Sequence, residues 1–301
     1  MSQAAAIRAR GPLVWLDMDQ QQLDDAYDQA VYAPNRDLVH ARLAAANVRA
    51  RAILGEPLRL QYDATEIESI DVYRAKDNGK SAPINVYIHG GAWRNGRSAD
   101  FAFLAEMMVN AGATSVIVDF NNIDDIGGDL MVMARQVRSA VAFVYNNAQT
   151  FGGDPQRLYV TGHSSGAHLA GCIVTTDWPK DFGLPKDVVK GAVLASGMYD
   201  LKPVRLSKRS KYVNFTDGSE AELSSQRHLD RLHCPVIIAY GTQETPEFQR
   251  QARDMAAAIA AARKPVELIV GEGYNHFEMR ETLASPYGLL GRPGLEMMGL
   301  A

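Results

Sequence analysis

Residues 162–166 read GHSSG and stand between an apolar segment that ends near Val160 and an alanine- and leucine-containing helix pattern. A Gly-x-Ser-x-Gly sequence in a strand–turn–helix setting is typical of a nucleophile elbow, which exposes one serine above the end of a strand. The glycines let the two backbones approach closely, and the new helix directs its first N–H groups toward whatever Ser164 attacks. The simpler alternative is a glycine-rich turn in which the serine only caps the helix, but this alternative does not explain why the motif lies between a strand and a helix. We therefore predict that Ser164 is a nucleophile.

Apolar strand-like segments alternate with helix-length patterns on both sides of this motif. The predicted strands are Ile70–Tyr73, Ile84–Ile88, Ser115–Phe120, Leu158–Thr161, Ala192–Ala195, Val236–Tyr240 and Val266–Val270. The predicted helices are Phe101–Asn110, a long one with an apolar stripe from Leu130 to Val144, Gly166–Thr176 and Glu247–Ala262. This alternation predicts an α/β fold with a mostly parallel central sheet flanked by helices. In such folds ligands bind at the carboxyl ends of the strands.

Two segments fall outside this alternation. Residues 20–55 are predicted to form N-terminal helices broken at Pro34, with Asn35 as a cap. An apolar face on the second helix should dock on the rest of the chain and comprises Leu38, Ala41, the stem of Arg42, Ala45 and Val48. Residues 200–232 contain no clear strand and carry mixed charge, as expected of a cap-like insertion that covers a site. We therefore interpret residues 1–301 as a single domain.

The composition excludes several classes of protein. The chain has 301 residues, of which 47% are hydrophobic and 22% charged, with a net charge of -4, so it should be globular. No run of 18 apolar residues is present and residues 1–19 lack a secretion signal, so we expect no membrane span. The mild acidity argues against a nucleic-acid partner. Cys172 and Cys234 have no metal-type spacing, and a reduced cytoplasmic protein is the simplest interpretation.

The residues near the C-terminus are unusually apolar for a solvated end. Residues 285–301 include Leu289, Leu290, Met297 and Met298. Packing on a neighbouring subunit would explain this composition, which makes a homo-oligomer one interpretation of the tail.

The sequence HGGAW at residues 89–93 directly follows the predicted strand Ile84–Ile88. An oxyanion needs backbone donors that no side chain obstructs, and paired glycines allow this approach. The expected donors are the N–H of Gly91, or of its neighbour Ala92, together with the N–H of Ser165. A plain Gly-Gly turn is the alternative. His89 should be a structural hydrogen-bonding residue of the loop.

A nucleophilic serine needs a base and an orienting carboxylate. Among seven histidines, His276 follows the last predicted strand, where a loop residue can reach across the site. The acid should lie between serine and histidine along the chain, and both Glu244 and Glu247 follow the strand Val236–Tyr240. Pro246 should begin a helix, where an acid at Glu247 simply suits the helix dipole. We therefore prefer Glu244.

Several motifs together resemble one family. They are HGGAW at 89–93, FGGDP at 151–155, GHSSGAH at 162–168, GTQETPEF at 241–248, NHFE at 275–278 and a YxxxxYxP pattern within 24–35. The chain resembles the arylformamidases, kynurenine-formamidase-like serine hydrolases related to the hormone-sensitive-lipase group of esterases. The resemblance implies the α/β-hydrolase fold, a Ser–acid–His mechanism and no metal or organic cofactor. Ser165 stands where relatives often have alanine or glycine, and it adds a hydroxyl beside Ser164.

The predicted function is a cytoplasmic serine hydrolase that cleaves a small aryl amide, formamide or ester. A general carboxylesterase is the nearer alternative, and a non-catalytic ligand-binding protein is the more distant one. The candidate pocket residues are Gly90, Trp93, Tyr199, Arg205 and Phe277. A basic run could hold the carboxylate of an anionic substrate or could simply be a solvated loop, and it comprises Lys202, Arg205, Lys208, Arg209 and Lys211.

Overall fold

The computed structural model describes residues 10–76 and 81–301, and these residues form a central sheet covered by helices on both faces. The strands are β1 Leu13–Trp15, β2 Met18–Asp19, β3 Leu58–Gln61, β4 Ser69–Tyr73, β5 Ala82–Ile88, β6 Thr114–Val118, β7 Gly153–His163, β8 Gly191–Ala195, β9 Val236–Gly241 and β10 Val266–Gly271. The helices are α1 Gln20–Ala26, α2 Arg36–Leu54, α3 Ala102–Asn110, α4 Leu130–Asn147, α5 Ser165–Val174, α6 Trp178–Phe182, α7 Leu201–Leu206, α8 Asp217–Leu223, α9 Pro246–Ala261, α10 His276–Glu281 and α11 Gly291–Met297. The α/β-hydrolase architecture predicted from the sequence is therefore confirmed.

Eight strands form the sheet in the order β10-β9-β8-β7-β5-β6-β4-β3. The strand β4 is antiparallel to both of its neighbours, and the remaining pairs are parallel. All seven predicted strands are present. The strands β1 to β3 are not among the predicted ones, because each is short and none has a buried apolar run.

The two-residue period of each strand divides the core into two layers. On β9, Ile238 belongs to the layer that contains buried residues of α4, α5 and α9, whereas Ile237 belongs to the layer of α2, α3 and α10 on the other side of the sheet. The predicted stripe from Leu130 to Val144 is buried in the first layer. Strands that are buried on both faces read as continuous apolar runs, which explains why they could be recognised in the sequence.

The N-terminal segment is helical as predicted, but the face of α2 that packs on the rest of the chain is not the predicted face. Leu38 is 59% exposed and Val48 is 71% exposed, and the buried residues of α2 are instead Val39, Leu43 and Ala50. The helix packs on α3 and α10 along one narrow edge, so the wider apolar face remains outside the core. The helix begins after Asn35 as expected, although the Asn35 side chain donates to Glu278 rather than capping the helix.

The segment 200–232 is inserted between β8 and β9 and consists of α7, α8 and short 3₁₀ turns. It meets the N-terminal segment at Lys208, whose backbone N–H donates to Asp24 at 2.6 Å. The Lys208 ammonium also donates to Asp28 at 2.6 Å. Two segments that are distant in sequence are thereby joined on the side of the sheet where the candidate site lies.

The apolar C-terminal tail packs on its own chain, which corrects the idea that a neighbouring subunit covers it. Leu290, Leu295 and Met298 are buried, and Met297 lies against Gly191 of β8. None of the helices in the described residues is long and apolar enough to cross a membrane. The expectation that residues 1–19 lack a secretion signal falls in part on residues 1–9, which lie outside the described residues.

The buried tail leads to a stability prediction. Leu290→Ala should lower the free energy of unfolding by about 2–5 kcal/mol, because it removes a fully buried side chain and leaves a cavity. Leu268→Ala is the matched control, since Leu268 lies on the edge strand β10 and is 39% exposed. Urea denaturation of both variants provides the measurement. Equally small losses for the two variants would contradict the packing of the tail on its own chain.

Candidate active site

Ser164 occupies the sharp turn between β7 and α5. Its backbone has φ 60° and ψ -128°, a left-handed conformation that serine rarely adopts. The Ser164 N–H donates to the Ala195 carbonyl at the end of β8 at 2.9 Å, which holds the strained turn in place. The geometry is therefore that of a nucleophile elbow, with the serine at the carboxyl edge of the sheet.

Ser164, His276 and Glu244 form one chain of hydrogen bonds. His276 Nε2 lies 2.8 Å from Ser164 Oγ, and His276 Nδ1 lies 2.7 Å from Glu244 Oε2. In the productive arrangement the serine hydroxyl donates to Nε2 and the Nδ1–H donates to the carboxylate. His276 begins α10 directly after Asn275, whose side chain caps this helix and so fixes where the imidazole starts.

Glu244 is buried and receives hydrogen bonds on both carboxylate oxygens. Ser196 Oγ donates to Oε1 at 2.6 Å and the Gly241 N–H donates to the same oxygen at 2.7 Å. Gln29 Nε2 of the N-terminal segment approaches Oε2 at 3.4 Å. Burial raises the pKa of the Glu244 carboxyl, and the bonds from Ser196 and Gly241 oppose this rise. The net effect raises the pKa of the Glu244 carboxyl to about 7, and without the hydrogen bonds from Ser196 and Gly241 it would be raised further.

The second candidate acid lies outside this chain of bonds. Glu247 accepts a hydrogen bond from the Tyr27 hydroxyl at 2.9 Å and forms a two-point ion pair with Arg250. It sits in the first turn of α9, which begins at Pro246 as the sequence predicts. The structure thus brings Glu244 to His276 and leaves Glu247 to attach the N-terminal segment.

The His276 imidazole is held in its neutral form. Burial lowers its pKa below the ordinary histidine value, and the positive charges of Arg209 and Arg280 lower the pKa further. A neutral imidazole that donates its Nδ1–H to Glu244 keeps the lone pair of Nε2 free to accept a proton. His276 can therefore act as a general base toward Ser164 at neutral pH.

The loop of residues 89–93 lies directly against the nucleophile. A side chain at Gly90 would come within 2.6 Å of the His163 carbonyl, and one at Gly91 would collide with the Asn95 carbonyl. Gly91 also has φ 133°, which only glycine adopts readily. Among the hydrogen bonds of the described residues, none uses the backbone N–H of Gly91 or Ala92. Gly91 and Ala92 line the same cleft as Ser164, and their N–H groups are available to a ligand there.

Ser165 is the first residue of α5, so its N–H has no partner within the helix. It joins the unpaired N–H groups of Gly91 and Ala92 as a candidate backbone donor, and the sequence prediction of Gly91 or Ala92 together with Ser165 remains a prediction. A serine with a base, an orienting acid and nearby free N–H groups can attack a carbonyl carbon and hold the resulting oxyanion.

The other histidines near the turn have structural partners. His163 Nε2 donates to the His276 carbonyl at 2.8 Å, and His168 Nε2 donates to the Leu223 carbonyl at 3.0 Å. His89 is stacked between Phe101 and Phe120, and its Nδ1 donates to the Gly90 carbonyl at 3.1 Å. His89 is thus a structural member of the loop, as predicted.

A cleft of about 1190 Å³ opens above Ser164 and His276. Gly90 and Phe277 line it as predicted, and the N-terminal segment supplies much of the opposite wall, including Tyr27, Gln29, His40, Leu43 and Val48. Sequence reasoning did not identify these N-terminal residues, although the YxxxxYxP pattern covers Tyr27 and Gln29. Among the described residues, no group of three or more histidine, cysteine or acidic side chains is arranged to hold a metal ion.

Three predicted pocket residues lie elsewhere. Trp93 is 2% exposed, because the left-handed backbone turns its ring inward against His168. Tyr199 is fully buried and its hydroxyl donates to the Leu194 carbonyl at 3.1 Å. Arg205 forms ion pairs on the surface of the inserted segment with Asp217 and Glu220. The pocket assignment of Trp93, Tyr199 and Arg205 is therefore wrong.

Several known proteins are similar to this chain in sequence or in fold. The sequence profile of the BD-FAE family matches residues 70–259. A kynurenine formamidase of Danio rerio is 30% identical over 95% of this chain and 98% of its own length. An isoprenylcysteine alpha-carbonyl methylesterase of Arabidopsis thaliana is 25% identical over 70% of this chain and 54% of its own length.

Among solved structures, esterase 2 of Thermogutta terrifontis superposes with a TM-score of 0.68 at 20% identity, covering 82% of this chain and 96% of that one. At this level of identity the likeness concerns the fold alone. The fold, the family profile and the near full-length relative agree with one another. The chain therefore belongs to the BD-FAE family of α/β-hydrolases and is a relative of the kynurenine formamidases.

Proposed function

We propose that this protein is a serine hydrolase that cleaves small aryl formamides, related aryl amides or esters through an acyl-enzyme intermediate. The observation that carries the proposal is the unbroken chain of hydrogen bonds from Glu244 through His276 to Ser164 at the floor of the cleft. A protein that only binds ligands has no need of all three groups in this geometry.

The proposed reaction has two half-cycles. Ser164 Oγ attacks the substrate carbonyl while His276 Nε2 takes its proton, and Glu244 stabilises the imidazolium that forms. The N–H groups of Gly91, Ala92 and Ser165 hold the oxyanion of the tetrahedral intermediate. His276 then returns the proton to the leaving amine or alcohol. Water attacks the acyl-enzyme in the same way and releases the acid.

The preference for formamides is supported by the part of the chain over which it is similar to a kynurenine formamidase. The likeness to the Danio rerio kynurenine formamidase covers 95% of the chain and so includes most of the N-terminal segment. That segment lies outside residues 70–259 and forms a wall of the cleft. A general carboxylesterase remains the second candidate, because the Arabidopsis thaliana relative is a methylesterase.

Unpaired positive charge in the cleft favours an anionic substrate. The cationic side chains that line the cleft are Arg36, Arg94, Lys208, Arg209, Lys211 and Arg280. Arg36, Arg94 and Lys208 each bind a carboxylate, at 2.9, 2.9 and 2.6 Å respectively. Of the basic run 202–211, only Lys208, Arg209 and Lys211 reach the cleft.

Arg209 and Arg280 are different because neither has a carboxylate partner among the described residues, although Arg209 is buried and Arg280 is half-buried. Arg209 is 6% exposed and donates only to the Tyr212 hydroxyl and the Tyr27 carbonyl, while its Nε has no partner. Arg280 lies one helical turn after His276, and its Nε is also buried without a partner. Buried cations are normally paired, so a carboxylate on the substrate would complete this site.

The nearby carboxylates are engaged with other groups. Asp28 binds Lys208, and Glu281 forms a two-point ion pair with Arg42. Asp100 accepts the Arg97 N–H at 3.0 Å. The positive charge of Arg209 and Arg280 therefore remains available to a ligand in the cleft.

The cytoplasmic location belongs to the proposal and rests on the two cysteines. Cys172 and Cys234 are free, buried thiols, and burial raises the pKa of each to about 12. Such thiols are protonated and unreactive, which suits a protein of a reducing compartment.

The function can be tested with N-formyl aryl amines, acetanilides and short 4-nitrophenyl esters. We expect turnover of the formyl substrates, and Ser164→Ala should lower kcat by about 10³-fold or more while the fold is retained. A fluorophosphonate probe should label Ser164 in the wild type only. Turnover confined to esters would favour the carboxylesterase, and an unlabelled wild type would contradict a serine hydrolase.

The choice of acid leads to a second activity prediction. Glu244→Gln should lower kcat at least about a hundredfold, because an amide facing Nδ1 favours the tautomer that places a proton on Nε2. Glu247→Gln is the matched control and should retain most of the kcat of the folded enzyme, at some cost in stability. Steady-state kinetics and thermal unfolding separate the two effects. A larger loss of kcat in Glu247→Gln would reverse the assignment.

The unpaired arginines predict selectivity for charge. Arg280→Met and Arg209→Met should each lower kcat/KM for N-formyl-4-aminobenzoate about tenfold more than for N-formyl-4-methylaniline, because a charge-assisted hydrogen bond contributes about 1.5–3 kcal/mol. Arg205→Met, which alters a paired surface arginine, is the control and should leave this ratio unchanged. Equal losses on the two substrates would contradict the anionic-substrate proposal while leaving the hydrolase itself intact.

A further inference from the structure

The side chain of Ser165 joins the nucleophile elbow to the loop of residues 89–93. Ser165 is buried, and its Oγ accepts the backbone N–H of Trp93 at 3.1 Å. The two residues lie 72 positions apart in the sequence. The bond therefore connects the carboxyl ends of β7 and β5, the strands from which the turn and the loop emerge.

This bond holds a stretch of backbone that would not keep its shape alone. Ala92 and Trp93 are consecutive non-glycine residues with φ 56° and 63°. Residues with a Cβ rarely adopt this conformation, and two in succession persist only when their surroundings determine it. The Trp93 carbonyl is fixed by the Ile123 N–H at 2.7 Å, so the Ser165 hydroxyl supplies the remaining backbone restraint on Trp93.

The ring of Trp93 reinforces the same conformation. His168 contacts the ring edge to face at 5.2 Å, and the Arg209 guanidinium lies over it at 5.4 Å. These contacts fix the indole, and bonds within the loop hold the carbonyls of the two preceding peptide groups. His89 Nδ1 donates to the Gly90 carbonyl at 3.1 Å, and the N–H groups of Arg94 and Asn95 donate to the Gly91 carbonyl at 2.9 and 3.1 Å. The bond from Trp93 to Ser165 therefore joins an internally braced loop, with its N–H groups of Gly91 and Ala92, to the nucleophile elbow.

We infer that the Ser165 hydroxyl is a positioning group for the oxyanion hole. The backbone N–H of Ser165 would bind the oxyanion itself, while its side chain holds the loop that carries the other donors. One residue thereby fixes the distance between the donors on the elbow and those on the loop. The inference rests on the proposed hydrolase function, but not on the preference for formamides.

The geometry argues against a second role for this hydroxyl as a nucleophile. Among the described residues, the hydrogen bond that His276 Nε2 makes to a side chain is with Ser164. Ser165 Oγ is engaged with Trp93 and is buried beneath the loop. Removal of the hydroxyl should therefore change the stabilisation of the oxyanion and leave the attacking group in place.

The test compares Ser165→Ala and Ser165→Gly with the wild type on 4-nitrophenyl acetate. Both variants should lose kcat about tenfold, or about 1.4 kcal/mol of transition-state stabilisation, with KM changed less than twofold. The affinity for a trifluoromethyl ketone, whose adduct places an oxyanion in the same position, should fall by a similar factor. Ser225→Ala is the control, because Ser225 is equally buried but its hydroxyl has no partner.

Wild-type values of kcat and of inhibitor affinity in both Ser165 variants would overturn the inference. So would a loss that appears only in KM or in thermal stability, since that would mark a merely structural contact. Failure of the hydrolase proposal itself would look different, because the wild type would then show no turnover that Ser164→Ala removes.

Discussion

The site depends on one buried hydrogen bond, from His276 to the carboxylate of Glu244, and the parallel sheet makes that bond possible. Four adjacent strands, β7, β8, β9 and β10, are each followed within five residues by one polar residue of the network. These residues are Ser164, Ser196, Glu244 and His276. Neighbouring parallel strands bring their carboxyl ends to one edge, so residues far apart in sequence meet there. On the other side of β7, the strand β5 ends in the loop that carries the N–H donors.

The N-terminal segment is more than a covering layer. Tyr27 and Gln29 contact the two glutamates that follow β9, one of which orients the histidine. Lys208 of the inserted segment binds the same N-terminal region through Asp24 and Asp28. The walls of the cleft therefore share restraints with the residues at its floor, and a change in either segment can alter both the shape of the cleft and the position of Glu244.

Much of this arrangement could be predicted because it depends on local sequence. Buried strands are continuous apolar runs, and the order of serine, acid and histidine along the chain follows from the order of the strands. The features that were missed depend on tertiary placement. Ser196 has no recognisable motif, and its contact with Glu244 exists only because β8 lies beside β9 in the folded sheet. Gln29 likewise lies in no motif that would indicate its contact with Glu244. The inward direction of the Trp93 ring follows from a left-handed backbone conformation. The exposure of Leu38 and Val48 follows from the rotation of α2 about its axis. Neither can be read from amino-acid composition.

The bond between Gln29 and Glu244 spans 215 positions, and the one between Tyr27 and Glu247 spans 220. During synthesis the N-terminal helices emerge long before their partners exist, so they cannot occupy their final place until β9 and α9 have been made. His276 is synthesised later still, 32 positions after Glu244. The hydrogen-bond network of the site therefore cannot form on a growing chain before residue 276 has been added. Contacts of such long range also favour slow folding.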